Sequence, residues 1–120
     1  MSKANEKLYK LDKLKEYVGD SPETLCEMVG LFLQSADEIK MQMQAACSQN
    51  DPEAVGKAAH KLKPSLDIFG VSSLAVQARL IEKIHHDKEM CLNLHQVVKD
   101  FLDKLDLVVQ QLQHDYSPRR

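Results

Sequence analysis

The sequence predicts an all-α protein, an antiparallel four-helix bundle with a short additional N-terminal helix. It holds a single threonine, four glycines and four prolines, while glutamate, lysine, glutamine and aspartate fill most polar positions. These residues lose little side-chain freedom in a helix. Apolar residues recur at steps of three and four between Pro and Gly breaks. We therefore expect one helical domain over residues 1–120, with a core at about 8–115 and a loose tail at 116–120.

The first two elements are separated by Gly19. A short amphipathic segment, KLYKLDKLKEYVG, runs over residues 7–19 and is predicted to be the additional helix. Ser21-Pro22-Glu23 then marks a helix start, because serine caps, proline suits the first turn and glutamate favours the positive end of the helix dipole. The apolar spacing of this second helix continues to about Gln49.

Three further helices follow. Asp51 is placed to cap the third, which ends at Gly70, a residue suited to a left-handed stop. Ser72 or Ser73 is expected to cap the fourth. A polar break at 85–88 separates it from a last helix with a narrow apolar seam: Leu94, Val97, Phe101, Leu105, Val108 and Leu112.

Composition excludes several classes of function. The net charge of −2 and the lack of a basic stripe disfavour a nucleic-acid partner. Three cysteines without CxxC spacing disfavour a disulfide framework and fit a reducing compartment. The polar N-terminus does not resemble a signal peptide, and no apolar stretch approaches the length of a membrane span. We expect a cytoplasmic monomer that contacts no membrane.

His60 is the candidate chemical group. Helical counting places it roughly 150° from the centre of the third helix's apolar stripe, so it should point outward. A surface histidine without a role is the usual reading of such a residue, but its neighbours favour chemistry. Lys63 lies one turn away, and Gly56 and Pro64 leave no long side chain one turn before and after. A neutral imidazole nitrogen is a competent nucleophile toward phosphorus, and Lys63 could neutralise charge on the product.

The stretch AAHKLKPSLDIFGVSSLAVQARLIE resembles the signature of histidine-containing phosphotransfer (HPt) domains. That signature has leucine at +2, lysine at +3 and glycine at +10 from the histidine, with a Leu/Ile-Glu pair in the next helix. The matching residues here are His60, Leu62, Lys63, Gly70 and Ile81-Glu82.

The resemblance implies a phosphorelay intermediate, which is not an enzyme with an ATP-binding domain of its own. His60 would be the phosphoacceptor and Lys63 would stabilise the phosphoryl charge, with Glu82, Gly56, Pro64 and Gly70 in support. The implied partners are receiver domains of a hybrid histidine kinase or a response regulator. The receiver supplies the acidic pocket and Mg²⁺, so the bundle is expected to need no cofactor or metal. Catalysis in such transfers is mostly positioning and charge neutralisation.

Two positions leave questions. Most members of the family carry glycine at +4, where this chain has Pro64. Proline preserves clearance, but it cannot donate to the carbonyl of His60 and should kink the helix. Glu82 has two readings: it faces His60 and fixes its tautomer, or it is a solvated residue of the fourth helix.

Lys57 and Lys61 flank the site and are candidates for tuning receiver docking.

Three alternative functions are open. HKLKPSL resembles the phosphoacceptor and dimerisation domain of a histidine kinase, but Lys61 stands where that domain expects an acidic residue. A metal-binding bundle would use Cys91 and His95, spaced four apart, although chance composition explains them better. A helical adaptor without chemistry is compatible with the composition, and a phosphotransfer assay discriminates it from a relay protein.

Overall fold

The computed structural model describes residues 7–116, a range that contains six α-helices, one 3₁₀ helix and no strand. The three short elements are α1 (Asp12–Val18), the 3₁₀ helix (Ile84–His86) and α5 (Lys88–Leu92). The four long ones are α2 (Pro22–Ser48), α3 (Pro52–Ile68), α4 (Ser72–Glu82) and α6 (Leu94–Tyr116). None of the helices in this range is long and apolar enough to cross a membrane.

The four long helices form the predicted bundle. Helix α3 packs against α2 and α4, and α6 packs against α2 and α4. The predicted seam of the last helix lies inside except for Val97, which is half-buried at the edge of the core. The largest side chains with almost no solvent exposure are Phe101, Met43, Leu62, Leu66 and Leu74. Phe32 and Phe69 join α2 to the end of α3, with ring centroids 4.6 Å apart. Because each helix hides its apolar stripe in this shared core, the all-α prediction is confirmed.

Two predicted helix starts are confirmed and a third is wrong. The Ser21 side chain accepts from the backbone N–H of Thr24, and that of Asp51 accepts from Ala54 at 3.2 Å. Helix α4, however, is not capped by Ser72 or Ser73, which lie in its first turn. Its cap position is Val71, which has no capping side chain and is buried in the core. The helix itself begins at Ser72, and the buried Val71 takes the cap position one residue before it.

The predicted N-terminal helix begins later than the sequence indicated. Residues 7–11 are not helical, and α1 starts only at Asp12. Other elements hold the preceding segment: the backbone N–H of Leu8 donates to Gln111 Oε1, and that of Lys10 donates to the carbonyl of Phe69 at 2.9 Å. Tyr9 is buried, and its hydroxyl donates to Asp115. These tertiary bonds replace the helical ones that periodicity alone predicted.

Gly70 ends the third helix as predicted, with a left-handed backbone (φ +63°) just after α3. A Cβ at this position would lie 2.7 Å from the backbone oxygen of Lys10. Both the backbone conformation and the approach of the N-terminal segment therefore require glycine here.

The C-terminal half holds two short helical elements that were not predicted, the 3₁₀ helix and α5. The polar break at 85–88 is present, but it contains the end of the 3₁₀ helix and the start of α5, which Asp87 caps. Tyr116 is not loose: it is the last residue of α6, half-buried, with its ring centroid 6.3 Å from that of Tyr9. The rest of the predicted loose tail, residues 117–120, lies outside the described residues.

At Gly56, α3 and α4 lie too close together for a side chain to fit between them. A Cβ there would lie 2.8 Å from the carbonyl oxygen of Glu82 and 3.1 Å from that of Ile81. Both atoms belong to the backbone, so they cannot move aside cheaply. The end of α4 can lie this close to α3 only because residue 56 has no side chain.

Substitution of Gly56 should therefore destabilise the bundle. We expect Gly56→Ala to lower the free energy of unfolding by about 1–2 kcal/mol, because the overpacking cost exceeds the gain in helix propensity. Gly30→Ala is the matched control: Gly30 is also inside a helix, but no atom lies within 4 Å of a Cβ there. That variant should gain about 0.5–1 kcal/mol. Urea unfolding of the three proteins tests this, and equal stability of the two variants would contradict the close approach.

Candidate functional site

His60 lies on the outward face of α3. Its side chain is 62% exposed, whereas the neighbouring Ala59 and Leu62 are fully buried. This is the orientation that helical counting predicts. The residue is held in place by a core-facing stripe on its own helix, so the backbone beneath the imidazole is well anchored although the ring is open to solvent.

The carboxylate of Glu82 joins His60 to Lys63. Its Oε2 atom lies 2.7 Å from His60 Nδ1, and its Oε1 atom lies 2.7 Å from Lys63 Nζ. Helix α3 supplies the histidine and the lysine one turn apart, and the last residue of α4 supplies the carboxylate. Of the two readings of Glu82, the structure has the one in which it faces His60.

The charge state of Glu82 decides the tautomer of His60. The hydrogen bond from Lys63 lowers the pKa of the Glu82 carboxyl, and the bond with His60 lowers it further. An ionised carboxylate can only accept hydrogen bonds, so Nδ1 of His60 must carry the hydrogen and donate it. In the neutral ring, Nε2 then keeps its lone pair and is the free nucleophilic nitrogen.

An open depression of about 440 Å³ lies beside the imidazole. Its walls come from α3, the end of α4 and the 3₁₀ helix, and its lining residues are Glu53, Gly56, Lys57, His60, Lys61, Glu82 and His85. On the other side, Lys61 Nζ donates to Gln42 Oε1 at 3.3 Å, which brings α2 next to the site. A partner's group can therefore reach His60 from solvent.

The other residues expected in support have different positions. Pro64 is exposed one turn after His60, and α3 continues through it to Ile68. Gly56, expected to leave an open flank, lines the depression beside His60, and it is also buried at a place where a Cβ would meet the backbone of α4. Gly70 lies at the end of α3 against Lys10 and contributes to the fold rather than to this site.

Sequence reasoning missed two neighbours of the site. His85 was read only as part of a polar break, and Gln42 was not singled out at all. His85 follows Glu82 by three residues, and this spacing past the end of α4 was the available signal. Nothing in the sequence marked Gln42, since its place beside Lys61 depends on the packing of α2 against α3.

The spacing of Cys91 and His95 does not produce a shared site. Cys91 lies in α5, and its thiol donates to the carbonyl of Ile84 at 3.2 Å. His95 lies in α6 with Nδ1 3.4 Å from the sulfur of Cys47. Among residues 7–116, no group of three or more His, Cys, Asp or Glu side chains could hold a metal ion.

A helical bundle that presents an exposed histidine with one free ring nitrogen beside a lysine has the architecture of a histidine phosphotransfer domain. Comparison with protein families supports this class: the family model described as the Hpt domain matches residues 27–115, which is more than half of the chain. The chain belongs to the Hpt domain family, whose members are phosphoryl carriers in two-component signalling. Searches of curated proteins and of solved structures found no match.

Removal of the lysine should raise the pKa of Glu82. Because this pKa is lowered in the folded protein, the contacts of Glu82 stabilise the fold above the ordinary glutamate pKa. That stabilisation is lost as the pH falls through the lowered value. Lys63→Ala removes the largest cause, so the Glu82 carboxyl should titrate at higher pH, which ¹³C NMR of the side-chain carboxyl measures.

Lys83→Ala is the control for this titration. Lys83 follows Glu82 directly and is exposed, but its side chain forms no ion pair within residues 7–116. The Lys83→Ala substitution removes one positive charge near Glu82 without removing a hydrogen bond to the carboxylate. An equal shift in the two variants would show that general charge, rather than the Lys63 contact, lowers the pKa of Glu82.

Proposed function

We propose that this protein is a phosphorelay intermediate in which His60 accepts a phosphoryl group from the aspartyl phosphate of one receiver domain and passes it to another. The observation that carries the proposal is the bond between Nδ1 of His60 and Glu82, because it leaves Nε2 of an exposed ring as the free nucleophile. Membership of the Hpt family supports the same chemistry.

The transfer step follows from this tautomer. The lone pair of Nε2 forms a bond to phosphorus while the bond from phosphorus to the aspartate oxygen breaks, and its electron pair returns to the aspartate carboxylate. No proton has to leave, because Nδ1 keeps its hydrogen and the ring becomes positively charged. Glu82, which accepts that hydrogen, stabilises the charged ring. Transfer to the second receiver is the reverse step.

Lys63 is the proposed stabiliser of the phosphoryl charge. Its ammonium lies in the same cluster as His60 and is only a quarter exposed, so its charge is less screened than that of a fully solvated lysine. The receiver is proposed to supply Mg²⁺ and the acidic pocket. The bundle is proposed to bind no cofactor or metal of its own. Positioning and charge then account for the catalysis.

The proposed docking surface is the outward face of α3 around His60 and Pro64, together with the adjoining face of α2 at Gln42. Lys57 and Lys61 lie exposed on this surface and complement an acidic receiver pocket. Access to His60 needs no second copy of the chain, so we propose that the protein acts as a monomer. We also propose that it acts in the cytoplasm.

The first test is the loss of the histidine. His60→Gln should abolish phosphate uptake from a phosphorylated receiver while leaving helicity and melting temperature unchanged, because His60 is exposed. His114→Gln, an exposed residue of α6, is the control and should be phosphorylated normally. The readout is acid-labile, base-stable phosphate on the bundle. Phosphate on His60→Gln would disprove the site, and none on the wild-type protein would favour the helical adaptor.

Pro64 provides a test of the docking surface. If the surface needs clearance one turn past His60, Pro64→Gly should transfer nearly normally, whereas Pro64→Gln should transfer poorly because its long side chain obstructs the partner. Glutamine restores the backbone N–H and should match or exceed the wild-type melting temperature. The alternative is that transfer requires the free carbonyl of His60, and in that case both variants would transfer poorly. Transfer rates and melting curves of the two variants distinguish the hypotheses. An active Pro64→Gln protein would contradict clearance.

A further inference from the structure

We infer that Glu82 and the phosphoryl group of phospho-His60 compete for the same Lys63 ammonium, so that Glu82 weakens the bundle's hold on the phosphoryl group and makes it a better donor. This inference rests on the proposed function, since it concerns the phosphorylated state of His60. It assigns Glu82 the role of a positioning residue that acts through Lys63, in addition to its effect on the tautomer.

In the unphosphorylated protein, Lys63 is already paired with Glu82. Its ammonium is 2.7 Å from Oε1 of Glu82, and the other oxygen of the same carboxylate is engaged by Nδ1 of His60. The carboxylate therefore lies on the Nδ1 side of the ring. A phosphoryl group on Nε2 lies on the opposite side of the imidazole. The flexible four-carbon stem of lysine allows the ammonium to move toward that group, but only by loosening its bond to Glu82.

The competition arises because phosphorylation adds negative charge beside an existing carboxylate. A phosphoryl group brings up to about two negative charges to a site that already holds one carboxylate. Lys63 is the cation in direct contact with that carboxylate, whereas Lys61 is bound to Gln42 on the α2 side. The two anionic groups thus compete for the Lys63 ammonium, and each holds it less tightly while the other is present.

The same carboxylate also keeps the ring in the form that can lose the phosphoryl group. Glu82 accepts the hydrogen of Nδ1 and so keeps phospho-His60 protonated at that nitrogen, and cleavage of the bond between Nε2 and phosphorus in this form leaves a neutral imidazole behind. Glu82 therefore acts on phospho-His60 in two ways, by stabilising the ring in its reactive form and by holding Lys63. Only the second way requires Lys63, and this difference makes the inference testable.

Glu82→Gln separates the two effects. The amide oxygen of glutamine can still accept from Nδ1–H, so the tautomer is retained, but a neutral amide forms no ion pair with Lys63. We expect the lifetime of phospho-His60 to increase about threefold to tenfold, as screened charges a few ångströms apart allow. In a Lys63→Met background the same substitution should lengthen the lifetime much less.

The experiment loads the histidine chemically. Phosphoramidate transfers its phosphoryl group to an exposed imidazole with loss of ammonia, so no receiver is needed. The ³¹P resonance of phospho-His60 is identified by its absence in His60→Gln, and its decay is followed in the wild-type protein, Glu82→Gln, Lys63→Met and the double variant. Nitrogen NMR of the His60 ring verifies that Nδ1–H is retained in Glu82→Gln. Lys83→Met, alone and combined with Glu82→Gln, is the control for loss of a nearby cation without the contact.

A lifetime gain that shrinks in the Lys63→Met background, but not in the Lys83→Met background, is the expected result. An equal gain with and without Lys63 would overturn the competition, and so would no gain at all. Transfer from a phosphorylated receiver is measured separately on the wild-type protein. Failure of that transfer alone would refute the relay function while leaving the competition at His60 intact.

Discussion

The close approach of α3 and α4 at Gly56 is the constraint on which the site depends. The carbonyl oxygen of Glu82 would lie only 2.8 Å from a Cβ at residue 56, so any larger residue would push the end of α4 away. His60 is one turn further along α3, and the Glu82 side chain reaches it at 2.7 Å. Since a hydrogen bond weakens steeply with distance, a small outward shift of α4 would break both contacts of the carboxylate. The geometry of an exposed site is thus determined by a buried glycine.

The contacts of Glu82 matter for orientation more than for stability. Ion pairs on a protein surface contribute little to the free energy of unfolding, because solvent screens the charges and ordering two long side chains costs entropy. Here the carboxylate and Lys63 are each about a quarter exposed, and His60 is largely exposed. What the contacts supply is a single tautomer and a defined place for the ammonium. A phosphoryl carrier gains from such preorganisation, because its reactive nitrogen needs no rearrangement.

Local sequence signals predicted the bundle and the outward position of His60, because both depend on apolar spacing and on caps within single helices. Ser21 and Asp51 cap as their sequence context indicates, and Gly70 adopts the left-handed backbone expected after α3. The errors share a different cause. Residues 7–11 are held by bonds to Phe69 and α6, and Val71 precedes α4 because it is buried. Such contacts join residues distant in sequence, and periodicity within one segment cannot reveal them.

Gly56 and Pro64 show how one sequence feature can have two physical origins. Both residues lie one turn from His60 and lack a long side chain, and both were predicted to leave space for a partner. Gly56 is also constrained from within, by the backbone of α4, while Pro64 is exposed one turn past His60. The two flanks of His60 are therefore unequal. One side is the depression bounded by α4 and His85, and the other is the surface continuous with α2, where Lys61 contacts Gln42. In the proposed docking across α2 and α3 a receiver would meet Pro64, so it is at this flank that the identity of the side chain is expected to bear on partner binding.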